Sequence, residues 1–495
     1  MPIKTNLARA RQRTTVHKRR NNTTSYASVP REENEMASPS PSPSPSPSRE
    51  SHQAPLIPEL FTNRPPIRDL EISETSVKQD AVQSNCMADL KNAVHPVRVN
   101  RYGVPSLARQ RHIRFLESYL GDLPAAFKSL DASRPWVFYW CLNSLALLGA
   151  DVSKYRDGLV ATARSMQNES GGFGGGFGQK SHLATTYATV LALAIVGGES
   201  AYEIIDRRAM WKWLCSLKQP DGGFRVTLGG EIDARGAYCA AVIITILKLP
   251  LELPSDSSSH EAEQPNLFTG LADYIRRCQT FEGGISAMPG AEAHGGYTYC
   301  ALGCLAILDA PHRIFPKYLN MPRLISWLSS RQYAPEGGLN GRTNKLVDGC
   351  YSHWVGGCWP LIESVLHGPG TRSNVNSYSS DLNNLYSREG LIRYILTCAQ
   401  DKSQRGGMRD KPFQASDAYH TCYVLSGLSS AQHVIRILSS NGDEMMPWTY
   451  EVLPYLDKSQ VYNEEDRINP IDPVYVIPER KRKDIMSYFS SKSGF

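Results

Sequence analysis

Trp211-Lys-Trp213-Leu-Cys-Ser-Leu217, then Gln219-Pro-Asp-Gly222-Gly223-Phe224, then Tyr238-Cys-Ala-Ala-Val-Ile-Ile-Thr-Ile-Leu247: these three runs decide the fold. The first is short and amphipathic, the second is a turn built on paired glycines, and the third is apolar on nearly every side. A helix that is apolar all round must be buried, whereas a half-polar one lies at a surface. The unit is therefore outer helix, glycine turn, loop, inner helix.

That unit recurs along the chain. Gly-Gly pairs stand at Gly171-Gly172, Gly222-Gly223, Gly283-Gly284, Gly337-Gly338 and Gly406-Gly407, and successive second glycines are 51, 61, 54 and 69 residues apart. A period of this size signals a repeat architecture. Apolar second helices recur at Ala188 to Val196, Tyr299 to Leu308 and Thr421 to Leu428. The expected fold is all-α, an αα toroid (an α/α barrel) with inner and outer rings of helices. Polar insertions at Ser255 to Gln264 and Pro369 to Asn384 account for the longer intervals and read as surface loops.

Composition sets limits on function. The chain has 495 residues, 41% of them hydrophobic, enough for a large core. It holds no run near the roughly 20 apolar residues of a membrane span, so no direct membrane insertion is expected. There is no apolar secretory stretch at the start, and the eleven cysteines form no CxxC pair and often sit in apolar segments. Reduced core thiols and a cytoplasmic setting follow. Residues 1 to 50 carry nine basic against four acidic residues, so five of the six net positive charges lie there and the body is nearly neutral. Nucleic acid is therefore not the expected partner. The first twenty residues, rich in Arg and Thr with no acid, resemble a mitochondrial presequence, although a solvated basic tail is the commoner meaning. With the Ser-Pro run from Ser38 to Ser48, residues 1–80 read as a disordered extension, 81–460 as the barrel and 461–495 as a C-terminal tail. The Lys481-Arg-Lys483 run in that tail reads as a solvated patch.

Aligning the modules on the second glycine brings polar residues into register. Ten places on stand His182, Asp233, His294, Asp348 and Asp417; twelve on stand Arg235, Cys350 and Tyr419; thirteen on stand Tyr297, Tyr351 and His420. These positions precede the inner helices, so in a closed barrel they gather at one mouth. Helix N-termini there favour anions. Asp348 and Cys350 offer a carboxylate and a thiol, with the His420 imidazole available from another segment. Three protein ligands suit a catalytic zinc, which keeps one position open for substrate. Arg342 and Lys345 add positive charge beside them, so a phosphate-bearing substrate next to zinc is expected. The ordinary meaning of such residues is solvation or helix capping.

Five ordered motifs then resemble one family. Arg342 to Trp354, Asp410 to Leu428, Glu292-Ala-His294-Gly-Gly-Tyr297, Asp233-Ala-Arg235-Gly-Ala-Tyr238-Cys239 and Arg134-Pro-Trp136-Val-Phe-Tyr-Trp140 resemble the protein prenyltransferase β subunits, those of protein farnesyltransferase in particular, over roughly residues 100 to 435. The resemblance implies a heterodimer with a helical-repeat α subunit and transfer of farnesyl from farnesyl diphosphate to the cysteine of a C-terminal CaaX motif, as in small GTPases. It implies one zinc per β subunit on Asp348, Cys350 and His420, and magnesium with the diphosphate beside Asp410.

Carried over by position, His294, Arg342, Lys345 and Tyr351 match the diphosphate pocket. Tyr351 and Lys345 count among the catalytic set with the zinc ligands. Trp136, Tyr187, Arg235, Tyr238 and Trp354 match the isoprenoid site, and Ser133, Trp136, Trp140, His182, Ala184 and Tyr419 the peptide site. Thr185 stands where a proline is familiar, Phe177 follows the glycine run in place of proline, and His353 replaces a usual aromatic. These departures bear on the terminal residue of the peptide.

The chemistry implied is attack of a zinc-activated substrate thiolate on the first carbon of farnesyl diphosphate. Cations and donors meet the departing diphosphate, and apolar walls gain about 0.8 kcal/mol per buried methylene of the lipid. A geranylgeranyltransferase type I β subunit, the nearest alternative, is expected to carry a small residue where Trp136 narrows the cavity floor. A terpene cyclase would show a DxDD or DDxxD cluster, which is absent. A non-enzymatic toroid would need neither the cations nor the three donors.

Overall fold

Inner and outer helices alternate along the chain because each module pairs an amphipathic segment with an apolar one. The computed structural model describes residues 71–91, 99–255, 266–333, 335–369, 385–439, 447–456 and 460–492. The Ser-Pro run, and all but the first residue of each polar insertion, lie outside the described residues. The helices that build the architecture are α1 (Glu74–Lys91), α2 (Arg109–Glu117), α3 (Arg134–Leu147), α4 (Arg156–Met166), α5 (Leu183–Val196), α6 (Arg207–Leu217), α7 (Ala234–Ile246), α8 (Leu271–Cys278), α9 (Gly295–Leu308), α10 (Met321–Ser329), α11 (Tyr351–Trp354), α12 (Cys358–His367), α13 (Arg388–Tyr394), α14 (Ala418–Gln432) and α15 (Glu479–Ser491).

The inner ring is closed. α3 packs on α5, α5 on α7, α7 on α9, α9 on α11, α11 on α14, and α14 returns to α3. Six modules make this ring although only five Gly-Gly pairs mark it. The first module, α2 with α3, has a 3-10 stretch, Ala125–Ser133, where the others have a glycine hairpin. Its signature was therefore invisible to a search on paired glycines.

The glycines explain how the outer ring closes. Gly222 has φ +92°, and a Cβ there would stand 2.1 Å from the Gly270 carbonyl oxygen at the start of α8. Gly283, at φ +109°, meets the Arg323 carbonyl of α10 in the same way. Each turn thus tucks under the next outer helix, and Gly406 does so against Arg111 of α2, joining the last module to the first. Only a residue without Cβ serves at these contacts.

Three features depart from the expected boundaries. Helix α1 begins at Glu74, within the stretch assigned to a disordered extension, and braces modules five and six: Asp89 pairs with Arg409, Gln79 donates to the Tyr333 hydroxyl, and the Cys398 thiol donates to the Cys86 carbonyl. A two-stranded antiparallel ribbon, β1 (His433–Ser439) and β2 (Thr449–Pro454), follows α14. The segment from Gln460 onward, expected as a tail, closes the floor of the barrel. Tyr139, Tyr238 and Tyr299 of α3, α7 and α9 donate their hydroxyls to the carbonyls of Val476, Val474 and Pro473 at 2.7, 2.6 and 2.6 Å. Fully buried Asp472 accepts from Tyr450 and from the Val474 and Tyr475 N–H groups, and Arg482 of α15 pairs with it at 2.6 Å. Arg482 is therefore an anchor of the floor and not part of a solvated patch. Among the described residues no helix is long and apolar enough to cross a membrane.

Candidate active site

Inner-helix caps set the stage at the barrel mouth. His182 Nδ1 accepts from the Ala184 N–H at 3.0 Å, Asp233 Oδ1 from Arg235 and Gly236 at 2.8 and 3.1 Å, His294 Nδ1 from Gly296 at 3.0 Å, and Asp417 Oδ1 from His420 at 2.7 Å. The polar register seen in the sequence is thus first a helix-capping register. Module five differs, because its inner helix starts later, at Tyr351, and Asp348 Oδ1 accepts from the Cys350 N–H at 2.9 Å.

Asp348, Cys350 and His420 converge. One ligand atom from each lies within 4.8 Å of the others, so the three together could hold a metal ion. His420 Nδ1 donates to Asp417 Oδ2 at 2.7 Å, and its Nε2 faces Asp348 Oδ1 at 3.3 Å. A carboxylate on the far nitrogen fixes both ring orientation and tautomer, the usual arrangement behind a metal-binding imidazole. Burial works against charge on the His420 ring, but Asp348 and Asp417 outweigh it and raise its pKa to about 10. Burial likewise opposes charge on Asp348, yet its hydrogen bond and attraction to His420 hold it below the usual carboxylate range. Burial and the Asp348 charge push the Cys350 thiol well up. These are donors gathered in a site that calls for a cation.

Asp410 belongs to the same neighbourhood. Its backbone carbonyl accepts from the Gly349 N–H at 2.6 Å. Burial and the Asp348 charge raise its carboxyl to about 6, against the pull of Lys411, with which it forms an ion pair. Lys411 was not singled out in the sequence, although it follows Asp410 directly.

His294 and Tyr351 form the adjoining wall. Because His294 Nδ1 accepts a backbone N–H, its Nε2 carries the proton and donates to the Tyr351 hydroxyl at 3.1 Å. Burial above all, with the Arg342 charge adding to it, lowers the His294 pKa to about 4. Arg342 pairs with Glu292 at the rim and is 37% exposed. Lys345 is exposed and makes no ion pair among the described residues, so it joins this group through the loop alone. Arg235 bonds Asp233 Oδ2 through Nε at 2.9 Å and lies over the Tyr297 ring at 5.7 Å.

Below the mouth, aromatic rings form a closed circuit around the lumen. Trp136 stacks on Trp140 at 5.8 Å; Trp140 meets Tyr419 at 5.4 Å, Tyr419 meets Tyr423 at 5.0 Å, and Tyr423 meets Trp354 at 4.3 Å. The circuit returns through Tyr299, Tyr238 and Tyr187 to Trp136 at 5.9, 6.0, 5.7 and 5.9 Å. Buried Ser133 ends the 3-10 stretch before α3, while His182 and Ala184 begin the neighbouring α5. Tyr299 and Tyr423 were missed in the sequence. Counting fifteen places from the second glycine would have found the first, since Tyr187, Tyr238, Tyr299 and His353 all stand there. His353 lies behind the circuit, fully buried beside Tyr299 at 4.3 Å, with both ring nitrogens unpaired, and burial lowers its pKa to about 3.

Known proteins share this architecture. The family described as prenyltransferase alpha-alpha toroid domain matches residues 107–477, which includes the floor residues Asp472 to Val476 and stops before α15. The protein farnesyltransferase subunit beta of Pyricularia oryzae is 58% identical over 443 residues, covering 89% of this chain and 85% of that one. The chain belongs to the protein farnesyltransferase β-subunit family. Another member of the farnesyltransferase β family, from Schizosaccharomyces pombe, is 38% identical over 86% of this chain and 99% of its own. Among solved structures, Candida albicans protein geranylgeranyltransferase-I complexed with GGPP superposes with TM-score 0.56 at 21% identity, over 79% of this chain and all of that one. At that identity the superposition speaks for the toroid fold, which this farnesyltransferase β-family chain shares.

Proposed function

We propose that this chain is the catalytic β subunit of a zinc-dependent protein farnesyltransferase, working with an α subunit on proteins that end in a CaaX motif. The observation that carries this is the convergence of Asp348, Cys350 and His420 at the mouth of an aromatic lumen, with Asp417 holding the histidine. One carboxylate oxygen, one thiol sulfur and one imidazole nitrogen of fixed tautomer fit zinc with three protein ligands. A zinc ion held there would supply the Lewis acidity that turns a substrate cysteine into a thiolate nucleophile at neutral pH.

The chain's own residues do the rest. The aromatic circuit holds the isoprenoid and excludes water. His294 donates its Nε2–H to the Tyr351 oxygen and so leaves the Tyr351 O–H to donate where charge develops on the leaving diphosphate, and Arg342, released from Glu292, with Lys345 supplies cations. Tyr419, Trp140 and Trp136 face the acceptor peptide, with Ser133, His182 and Ala184 near its terminal residue. Arg235 closes the isoprenoid side. Asp410 is the carboxylate we assign to magnesium on the diphosphate; Lys411 now neutralises it, so magnesium there would displace the ammonium.

Farnesyl is favoured over geranylgeranyl because the Trp136 indole, stacked on Trp140 and against Tyr187, takes up room beside the lumen that a longer chain needs. Trp136→Thr should raise the preference for geranylgeranyl diphosphate at least about tenfold, on the scale of a few buried methylenes. This is measured as the ratio of kcat/KM for the two diphosphates in the αβ heterodimer. An unchanged ratio would remove Trp136 as the determinant.

A further inference from the structure

The five glycine turns lead into hairpins at the barrel mouth, and these hairpins share one backbone rule. The residue six places after the second glycine is left-handed in every one: Gly178, Gly229, Gly290, Asn344 and Phe413, at φ +72°, +76°, +83°, +58° and +65°. Glycine and asparagine are the residues that take this conformation readily, and a bulky aromatic side chain in it is strained. Phe413 is also 80% exposed, so its ring gains nothing from the protein's own interior. A strained backbone presenting a bare aromatic ring is a costly arrangement that nothing among the described residues repays.

Its place suggests what the ring meets. Phe413 tops the hairpin closed by the Met408 and Asp417 bridge, which also carries Asp410 and Lys411. That hairpin is tied to the metal-ligand group at both ends, through the Gly349 N–H to the Asp410 carbonyl and through Asp417 to His420. Around the mouth, modules four and five contribute the anion-facing His294, Tyr351 and Arg342. Just below it, modules six and one contribute Tyr419, Trp140 and Trp136. A polypeptide whose cysteine sits at the ligand group and whose last residues enter the lumen must leave across the lip, and the hairpin of module six is the lip on its flank.

We propose that Phe413 is a specificity-determining contact for the residues immediately before the acceptor cysteine, packing against an apolar side chain there. An apolar partner fits better than a basic one, because Lys411 lies two residues away and Arg342 and Lys345 occupy the preceding hairpin. The inference rests on the transferase reading above and adds to it a selectivity outside the four terminal residues.

The test uses the zinc-loaded αβ heterodimer, wild type against Phe413→Gly and Phe413→Asn, the residues that the other hairpins carry at this position. Three acceptor peptides are compared: one that starts at the cysteine, one extended upstream with leucine next to the cysteine, and one extended with serine. The expected result is a rise of about fivefold in KM for the leucine-extended peptide in both variants, and less than twofold for the other two, with kcat steady. Equal shifts for the leucine and serine peptides, or no shift for either, would overturn the proposal. Fluorescence anisotropy of labelled peptides gives the same comparison without turnover, so an inactive wild type would refute the transferase reading while the binding difference still decides Phe413.

Discussion

At the scale of single residues, the same position in each module does two jobs. His182 caps its helix, whereas Asp233 and Asp417 each cap with one oxygen and hold a side chain with the other, Arg235 and the His420 ring respectively. The sequence showed the register but not this division, because a cap and a bracing carboxylate look alike until the ring that one of them meets is placed. The account expects Asp417→Ala to weaken zinc binding by about 10- to 100-fold while His420 itself remains, read by competition with a chelating dye. Unchanged affinity would mean that His420 needs no brace. Lys411 was illegible for a similar reason, since its meaning comes from a buried carboxylate that two loops bring together.

At the scale of elements, the glycine turns were the clearest signal in the chain, and the structure shows why. They are contact points, where a turn meets the backbone of the next outer helix with no room for Cβ. Gly283→Ala should destabilise the protein by at least about 2 kcal/mol, since it adds a strained φ to a steric clash, and chemical denaturation would measure it. A loss below half that would show that the turn can yield. The first module escaped notice because its α2 to α3 connection lacks the paired glycines. The floor segment escaped because it has no helical period, only a polar run, Asn463 to Arg467, and a short apolar run, Val474 to Ile477, set among prolines; their role depends on tyrosine hydroxyls from three inner helices that only the closed ring brings to one end.

For the whole molecule, ring closure buries ionisable groups that an open chain leaves in water. His112, His294 and His433 are lowered by burial to about 4, and His353 to about 3. The unfolded chain takes up protons at these rings near pH 6.5 and the folded chain does not, so stability is full above that value and falls as pH drops toward 4. Each such ring adds up to about 1.4 kcal/mol per pH unit across that window. His420 works the other way in the metal-free protein: its raised pKa stabilises below pH 6.5, and that contribution is lost as pH rises through about 10. A thermal midpoint several degrees lower at pH 5 than at pH 7, in the absence of metal, is the expected outcome. A flat profile over that range would contradict the burial of these rings.

The central claim is that Asp348, Cys350 and His420 hold the zinc that activates the acceptor thiol. It is tested most directly by co-expressing the chain with an α subunit and measuring zinc content together with farnesyl transfer, for wild type and Cys350→Ala. One zinc per heterodimer is expected in the wild type. The variant heterodimer is expected to assemble but to lose its zinc and its transfer activity. Full transfer by chelator-washed Cys350→Ala enzyme would contradict the claim.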